Sequence, residues 1–483
     1  MYPSDLLAQY GAVLVLGLGE TGLAAAHWFL CQGHPLKLAD TRGVYKTQVE
    51  QLQAHYAPLS ITACLGPEAL ETTVLQGIQT VVISPGLAPT QPQVAALLAA
   101  AKQKNITVLS EIELFAQALQ ELAKNHYQPK VLAVTGTNGK TTVVQMLKYM
   151  LQQAGLQVVA AGNISPAALS ALHEALEQNA LPDVWLIELS SFQLEHTYSL
   201  PVWAGAVLNM SQDHLDWHGN LQAYTQAKAK LYAFSHIAVV NNDDATVQAM
   251  VNPPAQIRYF GLSEPTQLHE LGLSLHHEQK WLSCMGSTGL QYLLPANSLK
   301  VVGQHNLSNA LAALCLASTL IEPAPLLSAL RAYEGEPHRC QFVRIVQGRR
   351  FINDSKGTNV GATVAAIQGL ACPLVLIAGG VAKGQDFSPL VHAVEHSACR
   401  AVVLLGADAP FIAQAMQSLS IPIEQVQTMS QAVQAAYNYA LEGDAVVLSP
   451  ACASLDMYAN YMQRGLDFID AVTELALDHG EIA

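Results

Sequence analysis

Charge is scarce in this chain of 483 residues: Asp, Glu, Lys and Arg together make up 12%. Aromatic residues reach only 6%, whereas apolar residues reach 51%. That balance excludes an intrinsically disordered chain, which is rich in charge and poor in apolar side chains. No Lys/Arg cluster stands out and the formal net charge is −14, so neither nucleic acid nor an anionic membrane is expected as a partner. No apolar run of about 18 residues occurs, and Met1-Tyr2-Pro3-Ser4-Asp5 lacks a basic region followed by an apolar core, so neither a membrane span nor a leader is expected. The eight cysteines, at 31, 64, 284, 315, 340, 372, 399 and 452, contain no C-x-x-C pair. Isolated thiols in a reducing cytoplasm are therefore expected, not a disulfide framework or a zinc site. At roughly 150 residues per domain, the length suggests about three domains.

Against these absences stands Gly136-Thr137-Asn138-Gly139-Lys140-Thr141-Thr142, which follows the apolar run Val131-Leu132-Ala133-Val134 and precedes a helical pattern. In a strand–glycine turn–helix unit, backbone N–H groups and the positive end of the helix dipole converge on phosphate oxygens. Lys140 then reaches the terminal phosphates and Thr141 can ligate Mg²⁺, which reads as ATP chemistry. The first glycine stands four residues before the lysine, closer than in the usual G-x-x-x-x-G-K-[ST] spacing, so this is a variant P-loop. A structural turn is the plain alternative, but Lys followed by two Thr supplies what phosphate and metal require.

Three blocks of alternating strand-like and helix-like runs predict an α/β protein of three domains: 1–107, 108–335 and 336–483. The first is Rossmann-like, the second a P-loop ATPase-like domain with a parallel sheet, and the third Rossmann-like again. The first block opens on a strand and the turn Gly17-Leu18-Gly19-Glu20-Thr21-Gly22. A dinucleotide needs a second mononucleotide half, and the P-loop begins where that half belongs, so the diphosphate of another nucleotide suits the turn better than NAD. Asp40-Thr41-Arg42 at a strand end can read base or ribose, and Ser84-Pro85-Gly86 adds hydroxyl and backbone donors.

In the second block Glu188 closes the run Val184-Trp185-Leu186-Ile187, the place where an acidic strand end supplies Mg²⁺ near a P-loop; a structural ion pair is the alternative. Asp213-His214-Leu215-Asp216 and Lys228 form a further polar cluster. Asn306 and Asn309 share a helix face and can read an adenine edge or cap the helix. Arg339, beside a Gly/Pro linker, can bring positive charge to a γ-phosphate, and Asp354 offers a carboxylate to a ribose. Two turns of the third block, Gly379–Lys383 and Ser449–Ser454, are candidate carboxylate holders. The second is expected to lead directly into a helix whose N–H groups assist, with Lys383 as the matching cation.

These residues in this order resemble the cytoplasmic Mur ligases of peptidoglycan synthesis over essentially the whole chain. The resemblance rests on Gly136–Thr142, Glu188-Leu189-Ser190-Ser191-Phe192-Gln193-Leu194-Glu195, Gly303-Gln304-His305-Asn306, Asn353-Asp354-Ser355-Lys356-Gly357-Thr358-Asn359 and Ala451-Cys452-Ala453-Ser454-Leu455-Asp456. It implies an ADP-forming ligase that joins D-glutamate to UDP-N-acetylmuramoyl-L-alanine through an acyl phosphate; the Asp-Asn-Pro-Arg signature of diaminopimelate-adding relatives is absent. It places ATP on Gly136, Thr137, Asn138, Gly139, Lys140, Thr141, Thr142, Asn306, Asn309, Arg339 and Asp354. The UDP-substrate falls on Gly17, Gly19, Thr21, Gly22, Asp40, Thr41, Arg42, Ser84 and Gly86, with Asn163, Ser190 and Gln193 near the muramoyl-peptide. Thr358, Lys383, Ser454, Leu455 and Tyr461 take the amino acid, Tyr461 standing where the family commonly has Phe. Two Mg²⁺ ions are implied, one on Thr141 and Glu188 and one on His214 and Lys228, the lysine as a carbamate. The Tyr224-to-Lys228 spacing favours Lys228 over Lys230. Lys140, His214, Lys228 and Arg339 are the implied catalytic residues, small molecules the only partners, and a monomer the expected state. A folylpolyglutamate-type or other Mur-type ligase, or an ATPase that senses a nucleotide, are the alternative readings.

Overall fold

The computed structural model describes residues 9–251, 256–301, 303–370, 372–382 and 384–481. Among them lie three β-sheets flanked by helices. The first sheet contains β1 (Val13–Leu16), β2 (Leu36–Asp40), β3 (Ile61–Leu65), β4 (Thr80–Ile83) and β5 (Thr107–Leu109) in the order β3-β2-β1-β4-β5. Every pairing in it is parallel. Alternation along β1 explains its unbroken apolar sequence: Val13 and Val15 enter one core, Leu14 and Leu16 the other. A parallel strand covered by helices on both faces has no polar side to show.

The second sheet contains β6 (Lys130–Thr135), β7 (Val158–Gly162), β8 (Val184–Glu188), β9 (Val202–Val207), β10 (Ser235–Asn241), β11 (Gln256–Phe260), β12 (Leu271–His276), β13 (Gln279–Gly286) and β14 (Gly289–Pro295). Its order is β14-β13-β12-β11-β10-β9-β6-β8-β7. The strands from β7 to β11 pair in parallel, and β12 and β13 form an antiparallel hairpin. The third sheet contains β15 (Gln341–Val346), β16 (Arg349–Asn353), β17 (Leu374–Ala378), β18 (Cys399–Leu404), β19 (Ile423–Gln425) and β20 (Ala445–Leu448), ordered β15-β16-β20-β17-β18-β19. Only its β15–β16 pairing is antiparallel.

The chain divides into two compact units, Met1–Leu293 with Leu311–Ala329, and Leu294–Ala310 with Leu330–Ala483. The first two sheets fall in one unit because they share a core. Trp28, Phe115 and Leu172, from helices Glu20–Leu30, Glu111–Lys124 and Ala168–Glu177, belong to the same apolar cluster as Val131, Trp185 and Ile187 of the second sheet. Phe115 meets Trp185 edge to face at 5.2 Å between ring centroids. All eight cysteines are free thiols, and none of the described helices is long and apolar enough to cross a membrane.

One carboxylate sits inside this shared core. Ser110 caps the helix Glu111–Lys124 by accepting the Glu113 N–H, which turns Glu111 inward. There Glu111 Oε1 accepts the Leu169 N–H, and Oε2 has no hydrogen-bond partner. Burial pushes the carboxyl up to about 7; the Leu169 N–H opposes that rise and the charge of Glu20 adds to it. A carboxyl whose folded pKa is raised contributes most below its unfolded value and loses that contribution as pH rises through the folded one. Between about pH 4.5 and 7, stability should therefore fall by roughly 2–3 kcal/mol on this account. Glu111→Gln keeps an acceptor for Leu169 and should remove this slope, raising the urea midpoint at pH 8 relative to the parent; an unchanged slope would refute the assignment.

Candidate functional site

In the first sheet the strand order reverses at β1, whose neighbours β2 and β4 continue in opposite directions, and open α/β sheets bind ligands at the carboxyl ends of the strands at such a point. Gly17 and Ser84 end β1 and β4 there. Gly17 has φ +89, and the Ser84 hydroxyl donates to its carbonyl at 2.8 Å. A Cβ at Gly22 would lie 1.8 Å from that same carbonyl oxygen, so the turn closes only on glycine. Asp40 is spent on the turn: Oδ2 accepts the Leu18 N–H at 2.6 Å, and both oxygens accept from the Arg42 side chain. Burial alone would raise its pKa, but Arg42 and the backbone donors outweigh it and hold the carboxyl below its ordinary value. Thr41 and Arg42 are exposed.

The P-loop follows β6 as expected. Gly136 and Gly139 have φ +149 and +85, and Gly139 is the N-cap of the helix Lys140–Gln153. Asn209, just past β9, splints the loop by accepting the Asn138 N–H and donating to the Asn138 carbonyl. Lys140 Nζ donates to the Gly136 and Thr137 carbonyls at 2.8 and 2.9 Å. Register then brings Glu188 into the site, because β8 places it opposite Val134 of β6 and Gly162 of β7. Its buried carboxylate accepts from the Thr141 hydroxyl and from the Asn163 amide, each at 2.8 Å. Two residues assigned to different substrates in the sequence, Thr141 to ATP and Asn163 to the muramoyl-peptide, meet on one carboxylate.

The helix Leu221–Phe234, capped by Asn220, turns Tyr224 and Lys228 inward one turn apart. Lys228 is 1% exposed and donates to the Gly136 carbonyl at 2.9 Å, whereas Lys230 is about one-third exposed and pairs with Glu195 at 3.2 Å. The two lysines are thus chemically distinct. Burial, with the charge of Lys140 adding to it, holds Lys228 well below the lysine range, although Asp213 and Glu188 pull the other way. His214 begins the short helix Leu215–His218 at φ +53 and packs edge-on against Phe192. Burial lowers its pKa; Asp213 opposes the shift and Lys140 and Lys228 reinforce it. Ser190 and Gln193 form a capping box on helix Ser191–Glu195, which gives both side chains a structural task.

Two links missed in the sequence bind these turns together. Glu20 of the glycine turn accepts from the Ser165 hydroxyl and the Ala167 N–H, next to Asn163, and the Trp217 indole donates to the Pro85 carbonyl. No spacing rule flags either contact, since the partners lie more than 130 residues apart.

In the second unit Arg339 stands between two residues with left-handed backbone, His338 at φ +64 and Cys340 at φ +45, a conformation costly for non-glycine residues. Asn353 bonds the His338 ring and Asp354 Oδ1 accepts the Cys340 N–H, which holds the turn. Burial raises the Asp354 carboxyl to about 6 against hydrogen bonds from Ser449 and Cys340. Asn306 and Asn309 are buried on one face of the helix Gln304–Ala317, the Asn309 side-chain amide donating to Asn306 Oδ1 at 3.2 Å. Ser454 is buried and Leu455 exposed; Thr358 and Tyr461 lie on adjoining segments, and the Lys356 ammonium sits 4.0 Å from the centre of the Tyr461 ring. Lys383 lies outside the described residues. One expectation is corrected: Ser449–Ser454 does not lead directly into a helix. Ala451 has φ +60 and Ala453 bridges back to Val381, so the chain turns aside, and the helix starts at Tyr461 behind its own cap, Asn460. Among the described residues no group of three or more His, Cys, Asp and Glu side chains is arranged to hold a metal.

Three family models match in sequence order: the MurD-like N-terminal domain at residues 11–110, the Mur ligase middle domain at 134–317 and the Mur ligase glutamate ligase domain at 338–452. The UDP-N-acetylmuramoylalanine–D-glutamate ligase of Bordetella avium is 50% identical over 97% of this chain and 97% of its own length. The chain belongs to the Mur ligase family. Its activity is ATP-dependent amide ligation in peptidoglycan synthesis. The ligase of the same description from Burkholderia cenocepacia is 45% identical, covering 98% of each chain. The Mur ligase fold extends to more distant solved structures. MurF from Acinetobacter baumannii aligns with a TM-score of 0.58 at 15% identity over 97% of this chain and 93% of its own, and MurC from Thermotoga maritima with 0.54 at 16% over 96% and 100%.

Within this Mur ligase the glycine turn separates packing from mere connection. Gly22→Ala should cost about 2–3 kcal/mol of unfolding free energy through its clash with Gly17. Gly19→Ala, with open space around its Cβ and φ −68, should stay within about 1 kcal/mol of the parent in the same urea titration.

Proposed function

We propose that this Mur ligase joins D-glutamate to UDP-N-acetylmuramoyl-L-alanine, acting as a cytoplasmic monomer on small-molecule substrates. The observation that carries the reading is its end-to-end similarity to ligases described by that reaction, together with the match of all three domain models in sequence order. The division of labour follows the sequence blocks: the UDP-substrate at 1–107, ATP at 108–335 and the amino acid at 336–483.

The residues present suit Mg²⁺: Thr141 and Glu188 are hard oxygen donors already 2.8 Å apart at a P-loop helix. They would hold one ion. A second would rest on His214 and on Lys228 as a carbamate; burial lowers the lysine's pKa and so favours the neutral amine, the form that adds carbon dioxide. Bound there, the ions would offset the charge of the phosphates.

The chain's own groups set up the rest. An L-alanyl carboxylate oxygen attacks the γ-phosphorus and ADP leaves, giving an acyl phosphate; Lys140 and Arg339 supply positive charge against the repulsion of two anions. The glutamate amine then attacks the acyl carbon, the C–O bond to phosphate breaks, and an amide remains. His214, its pKa lowered by burial, either ligates the second ion or accepts the proton the amine gives up, since a neutral imidazole offers one lone-pair nitrogen and not two. Asn163, fixed to Glu188, would orient the acyl group beside the P-loop.

Release of ADP in the presence of UDP-N-acetylmuramoyl-L-alanine and each glutamate enantiomer tests this directly. The D form alone should give sustained turnover; release indifferent to glutamate would instead support a nucleotide sensor, and sustained turnover with L-glutamate would overturn the stereochemical assignment. Lys140→Ala should abolish ADP release while UDP-substrate affinity changes by no more than about threefold, because the lysine's charge acts on the transferred phosphoryl group. Lys228→Ala should regain part of its activity with small carboxylic acids; absence of rescue would mean an ordinary ammonium at that position.

A further inference from the structure

The helix Tyr461–Asp478 begins at its cap Asn460 and carries Arg464 on its first turn, 2% exposed. Its guanidinium makes four hydrogen bonds. Nε donates to the Ser355 hydroxyl at 3.0 Å and Nη2 to the Ser355 carbonyl at 2.8 Å. Nη1 donates to the Cys452 carbonyl at 3.1 Å and the Gly379 carbonyl at 3.4 Å. The acceptors are thus three carbonyls and a hydroxyl, not a carboxylate. A buried guanidinium is normally paired with an acid, since desolvating a charge is expensive.

The segments so gathered are the same ones that carry the residues assigned to the amino acid. Ser355 precedes Thr358 by three residues, Gly379 precedes Lys383 by four, Cys452 precedes Ser454 by two, and Tyr461 lies one turn before Arg464. The Tyr461 carbonyl accepts the Ser355 hydroxyl, which closes the ring of contacts. The backbone leaves little room for another arrangement: a Cβ at Gly380 would meet the Ala453 carbonyl oxygen at 2.2 Å and one at Gly379 the Leu405 carbonyl oxygen at 1.9 Å. A planar fork with five donors can hold three separate backbones at fixed angles; the single ammonium of lysine cannot.

We propose that Arg464 is the positioning residue of the amino-acid site, holding its three loops in register and lending an unpaired positive charge that favours an acidic amino acid. The inference rests on the reading that these loops take the incoming glutamate. Burial lowers the guanidinium to about 10, with Cys452 and Asp456 among the groups opposing that shift, so it stays protonated at neutral pH. Its field therefore reaches a ligand carboxylate through a poorly screened interior.

Steady-state kinetics on the full-length enzyme separate this role from general stability. Arg464→Lys, which keeps the charge but not the fork, should raise KM for D-glutamate by about tenfold or more, while KM for ATP and for the UDP-substrate stay within about twofold. Ser355→Ala, a milder change that removes one acceptor, should move KM for glutamate in the same direction and keeps the test available if the lysine variant does not fold. Equal rises in all three KM values, or a glutamate KM unchanged in folded protein, would overturn the proposal. Thr358→Ala and Ser454→Ala are the companion measurements. If both leave glutamate KM unchanged, the amino-acid reading falls and this inference with it; if they raise it and the Arg464 and Ser355 variants do not, only the positioning role fails.

Discussion

The buried carboxylate of Glu188 ties the first unit's chemistry together. Parallel pairing puts the ends of β6, β7 and β8 side by side, and each end contributes one group: Thr141 from the P-loop after β6, Asn163 after β7 and Glu188 itself. A carboxylate in such a place is costly unless its oxygens are satisfied, and here each accepts one side-chain donor. The same arrangement that pays this desolvation cost brings the P-loop helix next to the loop proposed to hold the acyl group. Removing Glu188 would therefore loosen both neighbours at once.

Further contacts extend that order outward. Glu20 connects the Gly17–Gly22 turn to the Asn163 loop, and Trp217 connects the His214 loop to Pro85. The continuous apolar core beneath them keeps the first two sheets in one unit, so the small displacements that a ligation cannot tolerate are resisted by packing. In the second unit Arg464 plays the corresponding part with hydrogen bonds where the first unit uses core packing.

Electrostatic environment sorts residues of like type into different tasks. Lys228 and Lys230 are two residues apart on one helix, yet one is a buried amine depressed by desolvation and the other a surface cation paired with Glu195. Asp40 and Asp354 are likewise both buried acids, one held low by Arg42 and the other raised by burial. Cationic partners within hydrogen-bond reach account for the difference.

By itself the sequence determined the α/β class, the placement of most strands, the glycine turns and the variant P-loop, because these rest on local rules: apolar runs for doubly covered strands, positive φ for glycine, and Lys-Thr-Thr for phosphate and metal. Its motif order also sufficed to place the chain among the Mur ligases. What it did not determine depends on contacts across long sequence separations. No spacing reveals that Glu20 reaches Ser165, that Ser449–Ser454 turns away before the helix at Tyr461, or that Arg464 collects three loops. Those facts follow from register, twist and chain crossing, which fix where side chains meet only once the whole sheet is assembled.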